Sequence, residues 1–418
     1  MGLEDQIFEE TKKIAIPRMV GSQGEHKILE FLKERMEKSK YQPHGDTFHY
    51  NLGYFKLKEQ VFRFLSIFCI INFLFLVSIL FSSLSIPQIR DLLLISSILF
   101  SIGVGTKILF ILLKISKLEF TETNEEDPIS TNIYCEKKSD RLQPFVLIIV
   151  MAHYDSISYN SSYKQMKKNI LRAAVSLLIG VGIHISLIFS GFTNFIFYNQ
   201  SEFYFTMIFI IVGGISYIIC FIYINCLNKV KYANNSPGAI DNSSGVSILL
   251  NIIRNFEKIT LNWCDIRFLF PSAEEFGLFG SKAHVDIHKA ELDKYIKVYA
   301  INIDSITAPF CYQAFLSKKE NPNNLKEIIE STALNSKIHV RKSKIMLGGG
   351  DHLVFSREGF ESVCFFGKTF DFIHSPSDRI DKVDKKTLLQ CSELIYRTIL
   401  EIDRRTSFVI ESGSKKLK

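Results

Sequence analysis

Apolar residues along this chain fall into two patterns. Four unbroken runs, residues 64–86, 92–113, 173–192 and 203–224, each reach the roughly 20 residues that a helix needs to cross a bilayer. The first and last carry no charge, the second holds only Lys107 and the third only His184. Such runs predict transmembrane helices, because buried core helices of a globular domain are rarely so long and so apolar. Polar connections at 87–91 and 193–202 join them into two antiparallel hairpins. Two hairpins return the chain to its starting side, so all the remaining sequence shares one compartment.

Outside the hairpins the apolar runs are short. Residues 145–152 (FVLIIVMA), 266–270 (IRFLF), 298–303 (VYAINI) and 363–366 (VCFF) read as strands, the first buried on both faces. Residues 243–256, 280–288 and 386–403 read as helices. The alternation predicts an α/β fold: a mixed, mostly parallel central sheet flanked by helices and interrupted by the two transmembrane hairpins. The boundaries that follow are 1–63, 114–172 and 228–411 for the sheet domain, 64–113 and 173–227 for the hairpins, and 412–418 for a basic tail.

Charge adds orientation. The chain of 418 residues has a formal net charge of +7. Its cations crowd the shared side of the hairpins (Lys56, Lys58, Arg63, Lys114, Lys117, Lys164, Lys168, Arg172, Lys229), whereas the opposite loops hold only Arg90. The positive-inside rule therefore predicts an integral membrane protein with four transmembrane helices, its sheet domain and both termini in the cytoplasm. The surplus charge is topological, and no nucleic-acid partner is expected. Eight scattered cysteines without a C-x-x-C pair fit a reducing compartment and support neither a disulfide framework nor a thiolate zinc site. No cleavable secretory signal is visible in the polar, acidic start of the chain.

Candidate chemistry gathers where strands end. His153 and Asp155 follow the first predicted strand, Glu274 and Glu275 the second, Asp304 the third, and His374 the fourth after a short loop. Asp241 lies just before a helix. Open α/β sheets place their sites at the carboxyl ends of strands. Two imidazoles with several carboxylates suit zinc or a related divalent ion, and a shared carboxylate would bring two ions together in a hydrolase site. Singly, each residue has an ordinary explanation, such as a helix cap; their recurrence at equivalent positions gives the pattern force. His284 and His288 lack the glutamate of H-E-x-x-H and are expected on the surface, and His184 is expected to pack against a neighbouring helix. The Gly348-Gly349-Gly350-Asp351-His352 stretch lacks the Lys and Ser/Thr of a phosphate loop, and Pro376 is expected to restrict the turn after His374.

The blocks IVMAHYDS, PGAIDNSSGVSILL, FLFPSAEEFGLFGSKAH, AINIDSI, GGGDHLVFSREGF and FDFIHSPSDRIDKVD resemble, in order, the motifs of the zinc aminopeptidase family that also contains glutamate carboxypeptidase and glutaminyl cyclase. Ile16-Pro17-Arg18 with Gly21-Ser22-Gln23-Gly24-Glu25 is similar to that family's first helix region. The resemblance implies two Zn2+, other divalent ions being possible. His153 and Asp304 would bind one ion, Glu275 and His374 the other, and Asp241 both. It implies Glu274 as general base and Asp155 as the group that holds the His153 imidazole. The expected function is a membrane-anchored metallo-exopeptidase, an aminopeptidase by preference, hydrolysing a peptide substrate through a zinc-activated water, with the lipid bilayer as its other partner. A glutaminyl-cyclase-like acyltransferase with one zinc and a catalytically inactive membrane receptor or scaffold are the alternatives. One departure stands out: soluble relatives have a short segment between the first His and the bridging Asp, where this chain carries its second hairpin.

Overall fold

The computed structural model describes residues 2–85, 87–117, 121–140, 145–193, 200–315, 324–343, 349–368 and 370–414. The loop between the second pair of apolar runs, Gly348 and the end of the basic tail lie largely outside them. The chain divides into two compact units, one of residues 1–51, 123–160 and 232–418, the other of residues 52–122 and 161–231.

The first unit is built on an eight-stranded sheet. Its strands are β1 (His44–His49), β2 (Ile129–Lys137), β3 (Val146–Met151), β6 (Cys264–Phe270), β7 (Lys297–Asp304), β8 (Phe310–Phe315), β9 (Arg341–Lys342) and β10 (Glu361–Gly367). The order across the sheet is β1-β2-β6-β3-β7-β10-β8-β9. The central four, β6, β3, β7 and β10, run parallel, while β1, β2 and β8 are antiparallel to their inner neighbours. Every residue of β3, β6 and β10 is buried; β3 is accordingly apolar throughout, while the buried Arg267 of β6 and Glu361 of β10 are paired with Glu136 and Glu291 and with Lys297. Strands β1 and β2 alternate because one face is only partly covered.

Helices flank the sheet: α1 (Leu3–Ile14), α2 (Gln23–Lys38), α7 (Gly245–Phe256), α8 (Phe279–Leu292), α9 (Leu325–Asn335), α10 (His352–Arg357) and α11 (Lys385–Ser414). Ser22 caps α2 by accepting from Glu25 N, and Asn324 caps α9 by accepting from Glu327 N.

The second unit holds α3 (Gly53–Ser85), α4 (Pro87–Ser116), α5 (Tyr163–Thr193) and α6 (Gln200–Asn228), all long and apolar enough to cross a membrane. Phe68, Leu76, Ile210, Tyr217 and Cys220 form its core. His184 is buried there and shares a 2.7 Å hydrogen bond with Ser97 of α4, a polar link between the two hairpins.

Both excursions into this unit leave from antiparallel strand pairs. The β1–β2 ladder ends at His49 opposite Ile129, and Tyr50 N continues it by donating to Pro128 O. The short strands β4 (Ser158–Tyr159) and β5 (Tyr232–Ala233) pair across the second insertion. In the chain, each hairpin thus lies between the two strands of an antiparallel pair.

Candidate metal centre

All the candidate residues but Asp241 lie at or just beyond the carboxyl ends of the parallel central strands. His153 and Asp155 follow β3, Glu274 and Glu275 follow β6, Asp304 ends β7, and His374 sits in the loop after β10. Asp241 precedes α7. Three of these loops bend through left-handed backbone at residues other than glycine: Ala273 (φ 54°), Ser305 (φ 52°) and His374 (φ 54°). Such conformations cost on the order of 1–3 kcal/mol each and persist where surrounding contacts fix them.

The seven side chains come together. His153, Glu274 and Asp304 present ligand atoms within 4.8 Å of one another, and so do Asp241, Glu275 and His374. Asp241 belongs to both sets: its Oδ1 lies 3.2 Å from His153 Nε2 and its Oδ2 3.0 Å from His374 Nε2. Asp304 Oδ1 is 3.6 Å from His153 Nε2, and Glu275 Oε2 is 3.0 Å from His374 Nε2. Asp155 stands behind this ring. Its Oδ1 is 3.4 Å from His153 Nδ1, and its two oxygens accept from the Glu274 and Glu275 amides at 3.2 and 3.3 Å. One carboxylate therefore orients an imidazole and fixes the loop of both glutamates.

The electrostatics are those of a site built for positive charge. Burial opposes protonation of His153, yet Glu274, Asp155, Asp241 and Asp304 carry its pKa well above the usual imidazole value. His374 is raised likewise against burial, by Glu275 and Asp241. Burial would raise Asp241, but His153 and His374 outweigh it and hold this carboxyl below the usual carboxylate range. Glu275 is pushed up to about 7 by burial, with His374 opposing and Asp241 adding. Glu274 is raised well above the usual range, by burial first, with His153 opposing and Glu275, Asp304 and Asp351 adding. Glu274 is also only partly buried. Carboxylates that draw protons onto two imidazoles form a ligand set for cations. The orphaned, buried Glu275 Oε1 has the same meaning. The donor set of two imidazoles and three carboxylates around a shared Asp241 fits a pair of divalent ions.

Sequence comparison speaks to the same segment. Residues 227–399 match the sequence profile of Peptidase family M28. The matched segment is less than half of the chain. It holds Asp241, Glu274, Glu275, Asp304 and His374, whereas His153 and Asp155 precede it. The aminopeptidase YwaD of Bacillus subtilis is 28% identical over 175 residues, and the match spans 40% of this chain and 38% of that relative's length. Among solved structures, the aminopeptidase from Aneurinibacillus sp. strain AM-1 aligns over 96% of this chain and 93% of its own, with a TM-score of 0.52 at 12% identity. The Fimbriiglobus ruber glutaminyl cyclase aligns over 96% and 95%, with a TM-score of 0.52 at 13% identity. These two likenesses show that the M28 segment sits in a shared α/β fold.

Four buried groups around the centre carry more than the sequence suggested. Arg18 and Asp378 bracket the turn before Asp241. Glu25 accepts from Gly21 N, Ser130 Oγ and Ser272 Oγ, which ties α2 to the loop of Glu274. Asp351 is fully buried and pushed up to about 7 by burial, with His153 opposing and Asp155 and Asp304 adding.

His284 and His288 correct a sequence expectation. His284 is fully buried and His288 half-buried, because β1 lies over α8 and brings Asp46 onto them. His284 Nδ1 is 2.5 Å from Asp46 Oδ2, and His288 Nε2 is 3.0 Å from Asp46 Oδ1. Arg267, which can only donate, faces His284 Nε2 at 3.3 Å. That contact makes Nε2 the acceptor and places the His284 proton on Nδ1, toward Asp46, so the three side chains and Arg267 form a hydrogen-bonded network.

Burial lowers the His284 pKa to about 4, against the pull of Asp46. An imidazole whose pKa is lower in the folded than in the unfolded chain stabilises the fold above the unfolded value, and this is lost as pH falls from about 6.5 towards 4. Across that window the wild type should lose on the order of 3 kcal/mol more stability than His284→Asn. Calorimetry of both proteins as a function of pH measures this, and parallel profiles would rule it out.

Proposed function

We propose that this chain is a membrane-anchored metallo-exopeptidase, an aminopeptidase by preference, that uses two zinc ions. The observation that carries the reading is the division of Asp241, whose two oxygens face two separate histidine-carboxylate sets. His153 with Asp304 would hold one ion and Glu275 with His374 the other. Bound zinc would supply Lewis-acid polarisation of the scissile carbonyl and a water acidic enough to react near neutral pH.

The chain's own residues do the rest. Glu274, beside His153 and Asp304, takes a proton from the attacking water and returns it to the leaving amine. Burial raises its pKa, which makes the carboxylate a stronger proton acceptor. Asp155 keeps the His153 ring in place and holds the Glu274 amide, so base and ligand are positioned by one group. The presence of His153 and Asp304 beside Glu275 and His374 supports a two-ion hydrolase over a one-zinc transferase. The aminopeptidase preference draws on the Bacillus subtilis relative, which is named an aminopeptidase.

The cation asymmetry of the hairpins supports a cytoplasmic catalytic unit, so protease added outside sealed cells should spare it. The decisive experiment profiles the full-length protein in detergent against peptides with free and blocked N-termini, with and without chelator. Cleavage should require both a free amine and the metal. Equal cleavage of blocked peptides, or activity that survives exhaustive chelation, would sink the proposal.

A further inference from the structure

The turn of residues 237–241, which delivers Asp241, is gripped from two sides by buried ions of opposite sign. Arg18 is fully buried, and its guanidinium donates to main-chain carbonyls only: Nη1 to Pro237 O (2.6 Å) and Ile16 O (3.1 Å), Nη2 to Gly238 O (3.0 Å), Nε to Tyr154 O (2.6 Å), with Ile14 O at 3.4 Å from Nη1. Tyr154 directly follows His153, so one planar fork fixes main chain beside that candidate ligand and in the turn that delivers Asp241. Asp378 is also fully buried and takes the amides of the same turn: Oδ1 accepts from Ile240 N (2.7 Å) and Oδ2 from Asp241 N (3.1 Å). Its own carbonyl accepts from Ala239 N, and it lies four residues beyond His374. Gly238, at φ +58°, permits the close approach, since a Cβ there would lie 2.8 Å from Arg18 Nη1.

We propose that Arg18 and Asp378 act as a clamp that positions the Asp241 carboxylate between the two ligand sets and thereby sets the affinity for metal; this rests on the two-ion reading above. Neither residue is among the candidate ligands, so both are positioning residues. A purely structural role explains the arrangement poorly. Arg267, also fully buried, is paired directly with the carboxylates of Glu136 and Glu291, whereas the hydrogen bonds of the Arg18 guanidinium all go to backbone of ligand-bearing loops or of its own arm. Well-packed apolar residues usually stabilise a fold as well as a buried ion does, so the use of ions here points to orientation of the turn. Lysine offers a point charge on a flexible stem and cannot span carbonyls of separate segments in one plane. Asparagine at position 378 keeps the volume but turns an amide donor toward one of the two N–H groups.

The test compares full-length wild type with Arg18→Lys, Arg18→Met, Asp378→Asn and the Arg18→Met/Asp378→Asn double variant in detergent. Zinc affinity is read by competition with a chelator at a temperature where each protein is folded, and metal-free thermal unfolding is read separately. Arg18→Met and Asp378→Asn should each weaken zinc binding about 10- to 100-fold, with Arg18→Lys recovering part of the loss. The double variant should lose less than the product of the single losses, because both act on one turn. Folded variants that bind zinc like the wild type, even with lowered metal-free stability, would overturn the clamp while leaving the two-ion reading intact. Fully multiplicative losses would also overturn it. Should Arg18→Met not fold, Asp378→Asn and Arg18→Lys decide by the same affinities. A wild type that binds no zinc would instead overturn the two-ion reading itself.

Discussion

Replacing Glu274 by Gln is expected to lower kcat on the order of a hundred- to ten-thousand-fold while leaving bound zinc and thermal stability near their wild-type values. The residue lies with His153 and Asp304 but is only partly buried, so glutamine fits its space and keeps a hydrogen-bonding side chain. What glutamine cannot do is accept and release a proton. The distinguishing outcome is the separation of turnover from metal content, measured on one preparation by steady-state kinetics and elemental analysis. Loss of zinc in step with activity would reassign Glu274 as a ligand, and undiminished turnover would remove it from the mechanism.

Asp241→Asn should have the larger effect on the centre itself. Both oxygens are in use, one toward each histidine, and the carboxyl is held ionised by its neighbours. Asparagine keeps one acceptor and presents an NH2 group where the second would be, so one ligand set loses its shared anion and faces a donor in its place. Zinc content should fall below that of the wild type and hydrolysis should drop at least as far as in Glu274→Gln. Wild-type zinc content in this variant would show that Asp241 is not shared.

These expectations depend on features that differed in how plainly the sequence displayed them. The central strands were legible because burial on both faces leaves an uninterrupted apolar run, as in FVLIIVMA before His153, and the four long helices because their apolar runs are long enough to cross a membrane. The helix over 386–403 was legible too, although it extends from Lys385 to Ser414. The outer strands were not. HGDTFH in β1 and ISTNIYCEK in β2 are polar and half covered, and long apolar segments separate these two pairing partners in the chain.

That omission had a consequence for the histidines of α8. Without β1 there is nothing to bury them, and they read as surface groups; with β1 in place, Asp46 and Arg267 enclose them. Among the candidate ligands, His153, Glu275, Asp304 and His374 each come at or after the end of a strand whose apolar run announces where the chain emerges, while Asp241 precedes a helix. Arg18, Glu25 and Asp378 lack such a marker. Arg18 and Asp378 act on main-chain atoms, and Glu25 on an amide and two serine hydroxyls, in segments far away in the sequence. No spacing rule reveals such partners, although the position of Asp378 four residues after His374 was a hint.

The most direct test of the central claim is the number and position of zinc ions in the full-length, zinc-replete protein, located by anomalous X-ray scattering. The account predicts two ions, one held by His153 and Asp304, the other by Glu275 and His374, with Asp241 reaching both. A single ion, or ions bound away from Asp241, would contradict it.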